Sequence, residues 1–225
     1  MVMKLLDLFC GAGGAAVGYH QAGFDDIIGV DNKPQPNYPF TFVQGDALEP
    51  PVRLGDFDLI HASPPCQAFT QMSARWRGKG TKADSHPDLL TPTREWFGSI
   101  ERPWIIENVV GARRMMSPTL MLHGGMFDLR VHRPRLFEAS FLVLSYKAPV
   151  TKSPIGVYGK PDGREVWRYR NNGNMKGKSV IRAWKSLEEG SEAMGIDWMT
   201  DELEVREAIP PAYTKFIGEQ FLAQQ

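Results

Sequence analysis

Lys4-Leu5-Leu6-Asp7-Leu8-Phe9-Cys10-Gly11-Ala12-Gly13-Gly14 is the stretch that decides the fold. A short apolar run stops at a cluster of glycines. Ala15, Ala16, Tyr19 and Ala22 then share one side of a helical pattern that ends at Gly23. Strand, glycine loop and helix make the first unit of a nucleotide-binding βαβ fold, in which glycines let the backbone approach a ligand and the helix N-terminus faces it. A second strand, Ile27-Ile28-Gly29-Val30, ends in Asp31, 20 residues after Gly11, where such folds grip ribose hydroxyls. A third, Phe40-Thr41-Phe42-Val43, leads to Gly45-Asp46. The expected class is therefore α/β and Rossmann-like. The cofactor stays open at this point, because Gly11-x-Gly13-x-x-Ala16 also satisfies the dinucleotide fingerprint of a nicotinamide dehydrogenase.

Outward from this unit, a fourth strand over 58–62 is stopped by Ser63-Pro64-Pro65-Cys66-Gln67. Proline lacks a ladder donor and fixes φ, so the pair forces the chain out of the sheet and presents Cys66 on a stiff turn at a strand end. Ligands and chemistry sit there in open α/β sheets. A nucleophilic and a merely structural thiol both fit the stretch. Residues 68–83 follow, with Arg75, Arg77, Lys79 and Lys82 among glycines. Such a loop suits closure over an anionic substrate or a surface excursion. A helix capped at Thr91, with Pro92 in its first turn, is expected next, then a fifth strand over 103–109 with Glu107 and Asn108 at its carboxyl end. Arg133-Pro134-Arg135 precedes another apolar run. Residues 156–177 read as loop or short strands of a small lobe. A helix over 180–194 is expected, with Gly190 arguing for a break, followed by a short acidic helix over 200–208 and a last helix over 212–221 whose apolar side packs back on the main domain.

A chain of 225 residues has room for one full domain and a small appendage. An apolar content of 42% and a charged content of 23% are ordinary for a globular protein, which sets aside disordered classes. Two cysteines make a disulfide framework unexpected and suit a reducing compartment. With no membrane-length apolar stretch either, the expectation is a cytoplasmic protein, and no metal cluster or protein partner is evident. The zero formal net charge hides an uneven spread. Residues 147–185 carry ten Lys/Arg against two acids, interleaved with Tyr158, Trp167, Tyr169 and Trp184, whereas 186–207 carry eight acids against Arg206. The basic half suits a phosphate backbone, and equally a solvated loop balanced by its acidic neighbour.

Taken together, 7–14, Pro64-Pro65-Cys66-Gln67, Glu107-Asn108-Val109, Arg133-Pro134-Arg135 and 209–218 resemble the ordered motifs of the cytosine-C5 DNA methyltransferases. The resemblance covers roughly residues 1–138 and 205–222 and leaves the basic middle unmatched. It implies a Rossmann-like S-adenosylmethionine-dependent fold over 1–140, a small target-recognition lobe over 141–204, and a C-terminal helix over 205–225 packed on the catalytic domain. Cys66 would be the nucleophile that adds to cytosine C6, Glu107 the acid at N3, and Arg135, assisted by Arg133, the group at O2. Phe9, Gly11, Ala12, Gly13, Asp31, Asn32, Asp46, Ala47 and Pro65 would line the S-adenosyl-L-methionine site, and Gln67 and Asn108 would support the substrate. Double-stranded DNA is the implied partner. RNA or a free cytidine nucleotide, or a non-catalytic DNA-binding role, are the alternatives. Two departures stand out: the recognition segment is short, and Arg206-Glu207 replaces the Gly-Asn common in the family before Ile209.

Overall fold

The computed structural model describes residues 2–65, 87–146, 154–168 and 179–225. The expectations for Cys66, Gln67 and the basic loop over 68–83, and for parts of the basic segment, lie outside the described residues. A seven-stranded sheet has the order β3-β2-β1-β4-β5-β7-β6. Its strands are β1 (Lys4–Leu8), β2 (Asp26–Asp31), β3 (Thr41–Gln44), β4 (Leu59–Ala62), β5 (Trp104–Val109), β6 (Leu120–Leu122) and β7 (Arg135–Ala139). The first five run parallel, while β7 and β6 join antiparallel beyond β5. Strand order reverses between β1 and β4, and the crevice at such a reversal is where open parallel sheets take ligands.

The helices are α1 (Gly14–Ala22), α2 (Leu90–Phe97), α3 (Leu187–Met194), α4 (Glu202–Glu207) and α5 (Pro211–Leu222). One core lies between the sheet and the α1/α5 pair, and includes Leu5, Tyr19, Phe24, Ile105, Phe137, Tyr213 and Phe221. Helices α1 and α5 cross closely at Gly18, where an added Cβ would lie 2.1 Å from both the Pro211 carbonyl and Thr214 Oγ1. A second core on the opposite face takes Leu6, Leu8, Ile60, Ile106, Leu136 and α2 through Leu90 and Phe97. Both faces of the parallel strands are thus covered, which is why they read as near-continuous apolar runs.

A three-stranded sheet of β8 (Ile155–Gly156), β10 (Ser179–Ala183) and β9 (Glu165–Arg168) forms the rest, with α3 beside it. Its core of Ile155, Val157, Trp184, Met194 and Val205 also takes in Ala12 of the glycine loop.

Three sequence expectations change. The helix over 90–97 begins before Thr91, because the Asp88 carboxylate accepts from the Leu90 and Thr91 amides and does the capping. The expected helix over 180–194 is a strand followed by α3. Ser186 caps α3, accepting from the Glu189 amide, and Gly190 lies inside it without a break. There the glycine makes room for a ring: a Cβ at 190 would sit 2.1 Å from Trp184 Cε3. Residues 141–146, drawn with the small lobe from sequence, run instead along the main domain. Phe141 stacks edge-on with Phe221, Tyr146 with Phe216, and the Gln220 side chain holds both backbone groups of Leu144.

Candidate active site

The chain leaves β1 through three residues of positive φ: Phe9 at 55°, Gly11 at 48° and Gly13 at 85°. Two of the three are glycine, the residue that adopts this region without strain. The Cys10 carbonyl accepts from the Gly13 amide at 3.0 Å, closing the loop over the N-terminus of α1. Asp31, at the end of β2, accepts from the Gly11 amide at 3.1 Å and so braces the loop from the neighbouring strand. Asn32 follows Asp31, Asp46 and Ala47 follow β3, and Pro65 follows β4, so all the nominated cofactor residues fall at one carboxyl edge of the sheet. At Gly11 an added Cβ would meet no atom within 4 Å, so the loop faces open space. Glycine loop, bracing carboxylate and open space together fit an adenosyl cofactor.

Beneath this loop Asp7 is fully buried in β1. Burial, first, and the Asp31 charge hold its carboxyl well above the usual range, while the Tyr38 hydroxyl and the Ala16 amide pull the other way. Cys10 is also buried, and burial, then Asp7 and Asp31, push its thiol far up. It stays protonated at neutral pH, and the thiolate is the reactive form of cysteine. Of the two cysteines, Cys10 is therefore unsuited to nucleophilic attack.

On β5 successive side chains face opposite ways. Glu107 points to the α1/α5 side with Ile105, and Asn108 to the other. The antiparallel register sets Glu107 against Phe137 and Val109 against Arg135, which makes Glu107 and Arg135 diagonal neighbours on one face. Glu107 Oε1 lies 2.8 Å from Arg135 Nε with both side chains buried, yet that oxygen accepts no aligned hydrogen bond among the described residues. Burial raises the Glu107 carboxyl above its ordinary range, against the opposing pull of Arg135 and then Arg133. The result is a carboxyl biased toward keeping its proton next to a cation.

Asn108 binds elsewhere. Its Nδ2 donates to the Pro64 carbonyl at 2.9 Å, and its Oδ1 accepts from the Val109 amide at 2.9 Å. This ties β5 to the proline turn two residues before Cys66. The other side of the turn is held through His61, whose ring nitrogens lie 3.1 Å from the Tyr19 hydroxyl and 2.8 Å from Ser63 Oγ. Burial lowers His61 to about 3, so the ring is neutral and uses one nitrogen as donor and one as acceptor.

Arg133 is placed differently from Arg135. It is 1% exposed and donates to the carbonyls of Val157 and Arg206, and its guanidinium carbon lies 5.8 Å from the Tyr158 ring centroid. Its own carbonyl accepts from the Tyr213 hydroxyl at 2.9 Å. Further residues join the site that sequence reasoning did not nominate. Trp198 Nε1 donates to the Ala12 carbonyl at 2.8 Å, and Asn37 Nδ2 donates to Glu204 at 2.9 Å and to Thr200 at 3.1 Å. The first bond ties the stretch between α3 and α5 to the glycine loop, and the second ties it to the connection between β2 and β3. A tryptophan inside an acidic stretch was the only available signal. Among the described residues no cluster of His, Cys, Asp or Glu could hold a metal ion, and no helix is long and apolar enough to cross a membrane.

Residues 3–115, half of the sequence, match the C-5 cytosine-specific DNA methylase family. The chain belongs to this family. The type II methyltransferase M.AgeI of Thalassovita gelatinovora is 28% identical over 73% of this chain and 41% of its own length. M.HgiDI of Herpetosiphon aurantiacus is 32% identical over 49% of this chain and 38% of its own. This C-5 methylase-family chain thus spans about two fifths of the length of these relatives. A solved structure titled as a putative DNA modification methyltransferase from an E. coli prophage aligns over 99% of both chains with a TM-score of 0.59 at 15% identity, which supports the fold.

Proposed function

We propose that this chain methylates C5 of cytosine in double-stranded DNA. The observation that carries the reading is the buried Glu107–Arg135 pair at the end of β5, beside an asparagine that anchors the turn leading to Cys66. C5 of cytosine is too weak a nucleophile to accept a methyl group directly. A Cys66 thiolate adding to C6 forms a C–S bond and moves electron density toward C5 and N3. Glu107, whose proton burial helps retain, donates to N3 and relieves that charge. Arg135 holds O2 and keeps a cation beside the carboxylate left on Glu107. S-adenosylmethionine, when bound, supplies the methyl group that C5 receives. Loss of the C5 proton to water, return of the N3 proton to Glu107 and departure of the thiolate from C6 then restore the ring and free Cys66. The base must leave the helical stack for any of this.

Residues to hold the cofactor are Phe9, Gly11, Ala12, Gly13, Asp31, Asn32, Asp46, Ala47 and Pro65, with Asp31 taking the ribose hydroxyls. Gln67 supports the substrate on the catalytic loop. Arg133 assists from behind, since its Nη1 and Nη2 are directed to carbonyls. The target-recognition lobe lies within residues 147–204, beyond the segment that runs along the main domain, and a lobe this small suits a short recognition sequence or weak specificity, because readout needs side chains at several base edges. A DNA substrate puts the protein in the cytoplasm of a bacterium or of a phage host. The test is transfer of tritium from labelled S-adenosylmethionine to duplex DNA. Wild type labels DNA and Cys66→Ala does not. Absence of labelling by wild type across varied sequences sinks the proposal.

A further inference from the structure

Immediately after Glu107-Asn108-Val109, the chain makes two overlapping tight turns, with Arg113 N donating to Val110 O at 3.2 Å and Met115 N to Ala112 O at 2.8 Å. The winding sorts the side chains. Ala112 and Met116, four apart, are buried in the core against α2, while Arg113, Arg114 and Met115 face out. The turn is also pinned from below, because Arg94 donates to the Met115 carbonyl at 2.8 Å while its fork holds the Glu138 carboxylate. Two adjacent guanidiniums are thus displayed on a fixed turn. Neither makes an ion pair or a side-chain hydrogen bond among the described residues. Exposed Val110 and Met115, each 38% accessible, flank them.

Position gives this pair a meaning. The turn grows from the carboxyl end of β5, next in the sheet to the end of β4 from which Cys66 follows. A cytosine presented to Glu107 brings its flanking phosphates to this edge, since each strand carries a phosphate about every 3.4 Å of helix axis. We propose that Arg113 and Arg114 are a phosphate clamp for the DNA strand flanking the target cytosine, acting without regard to sequence. This rests on the reading of the chain as a DNA methyltransferase. Phosphate contacts position a protein on the duplex and carry no base information. A fixed clamp next to the catalytic acid would complement a recognition lobe as small as this one.

Each phosphate contact contributes about −0.9 to the slope of log K against log salt, so losing one weakens binding about eightfold at 0.1 M salt. The experiment measures anisotropy of labelled duplexes of unrelated sequence, over a series of sodium chloride concentrations, with the full chain. Arg113→Gln and Arg114→Gln should each flatten the slope by about 0.9 and weaken all duplexes alike, with melting temperature unchanged. Arg53→Gln, exposed before β4 at the opposite edge, should match wild type. Wild-type slopes in both clamp variants, or weakening confined to one sequence, overturn the clamp. A wild type that binds no duplex at any salt overturns the methyltransferase reading itself, and with it the clamp.

Discussion

Asn108→Asp isolates the bond that ties β5 to the Pro64 carbonyl. The residue is fully buried, and the substitution changes one atom. The acceptor toward the Val109 amide survives, but the donor toward the Pro64 carbonyl becomes an oxygen facing an oxygen. A lost hydrogen bond costs about 1 kcal/mol, and a buried carbonyl left without a donor costs about 1–3 kcal/mol more. The sum, about 2–4 kcal/mol, lowers the melting temperature of a chain this size by about 4–16 °C. Protonation gives the introduced carboxyl a donor again, so its folded pKa is raised. A raised folded pKa confers stability at low pH that is lost as pH rises through it. The deficit against wild type should therefore be large at neutral pH and shrink on acidification. Because Pro64 stands two residues before Cys66, methyl transfer at neutral pH should drop by about 10²-fold, the cost of a small misplacement at the reacting atoms. Calorimetric melts of both proteins, run in parallel at acid and neutral pH, supply the readout. Equal melting temperatures at neutral pH, or a deficit that ignores pH, would refute the role given to this bond.

Two other substitutions probe the proposed acid, Glu107, and the glycine loop proposed to hold the cofactor. Glu107→Gln keeps the shape but cannot deliver a proton, so kcat should fall about 10²–10⁴-fold in the tritium assay. Since burial raises Glu107 in the folded state, wild type loses stability as pH climbs from the ordinary carboxylate range through the raised value, and the variant, lacking that titration, should gain on wild type over the same window in paired melts. Trp198→Phe keeps a ring but removes the donor to the Ala12 carbonyl, worth about 1 kcal/mol. Titration calorimetry should show S-adenosylmethionine affinity about five- to tenfold weaker with kcat at saturating cofactor retained, and an unchanged affinity would assign the bond to stability alone.

The parallel strands, the glycine loop and the last helix were legible because each is written locally: apolar runs end at Gly11, Asp31 and Pro64, and α5 shows its apolar side. What failed depended on distant partners. Gly190 looks like a breaker until the Trp184 ring is seen filling the space above it. The strand over 179–183 pairs with residues 155–156 and 165–168, and a basic, glycine-rich stretch gives no period to announce that. Trp198 meets Ala12 across 186 residues, and no local pattern encodes such a contact. For the site, the acid and amide at the end of β5 were readable as a cluster. Their separate duties, one on Arg135 and one on Pro64, depend on strand facing and register.

The sequence reading sets Arg135 at the base with Arg133 assisting, and their surroundings give the two different partners. Arg135 faces Glu107, whereas Arg133 joins Val157 of the small lobe to Arg206 ahead of α5. Desolvating an ion costs several kcal/mol, and at 1% exposure Arg133 offsets this through Nη1 and Nη2, which donate to the Val157 and Arg206 carbonyls. The segment ending in α4 is therefore fixed by the same buried cation that fixes the lobe. This also bears on Arg206-Glu207, where the family commonly has Gly-Asn. Arg133 uses the carbonyl of residue 206, a group that any amino acid supplies, so the exchange leaves this junction intact. Its consequences are confined to the two new side chains, at the segment that leads to Ile209. There the backbone already lies so close to Gly14 that a Cβ would come within 2.5 Å of the Ile209 carbonyl.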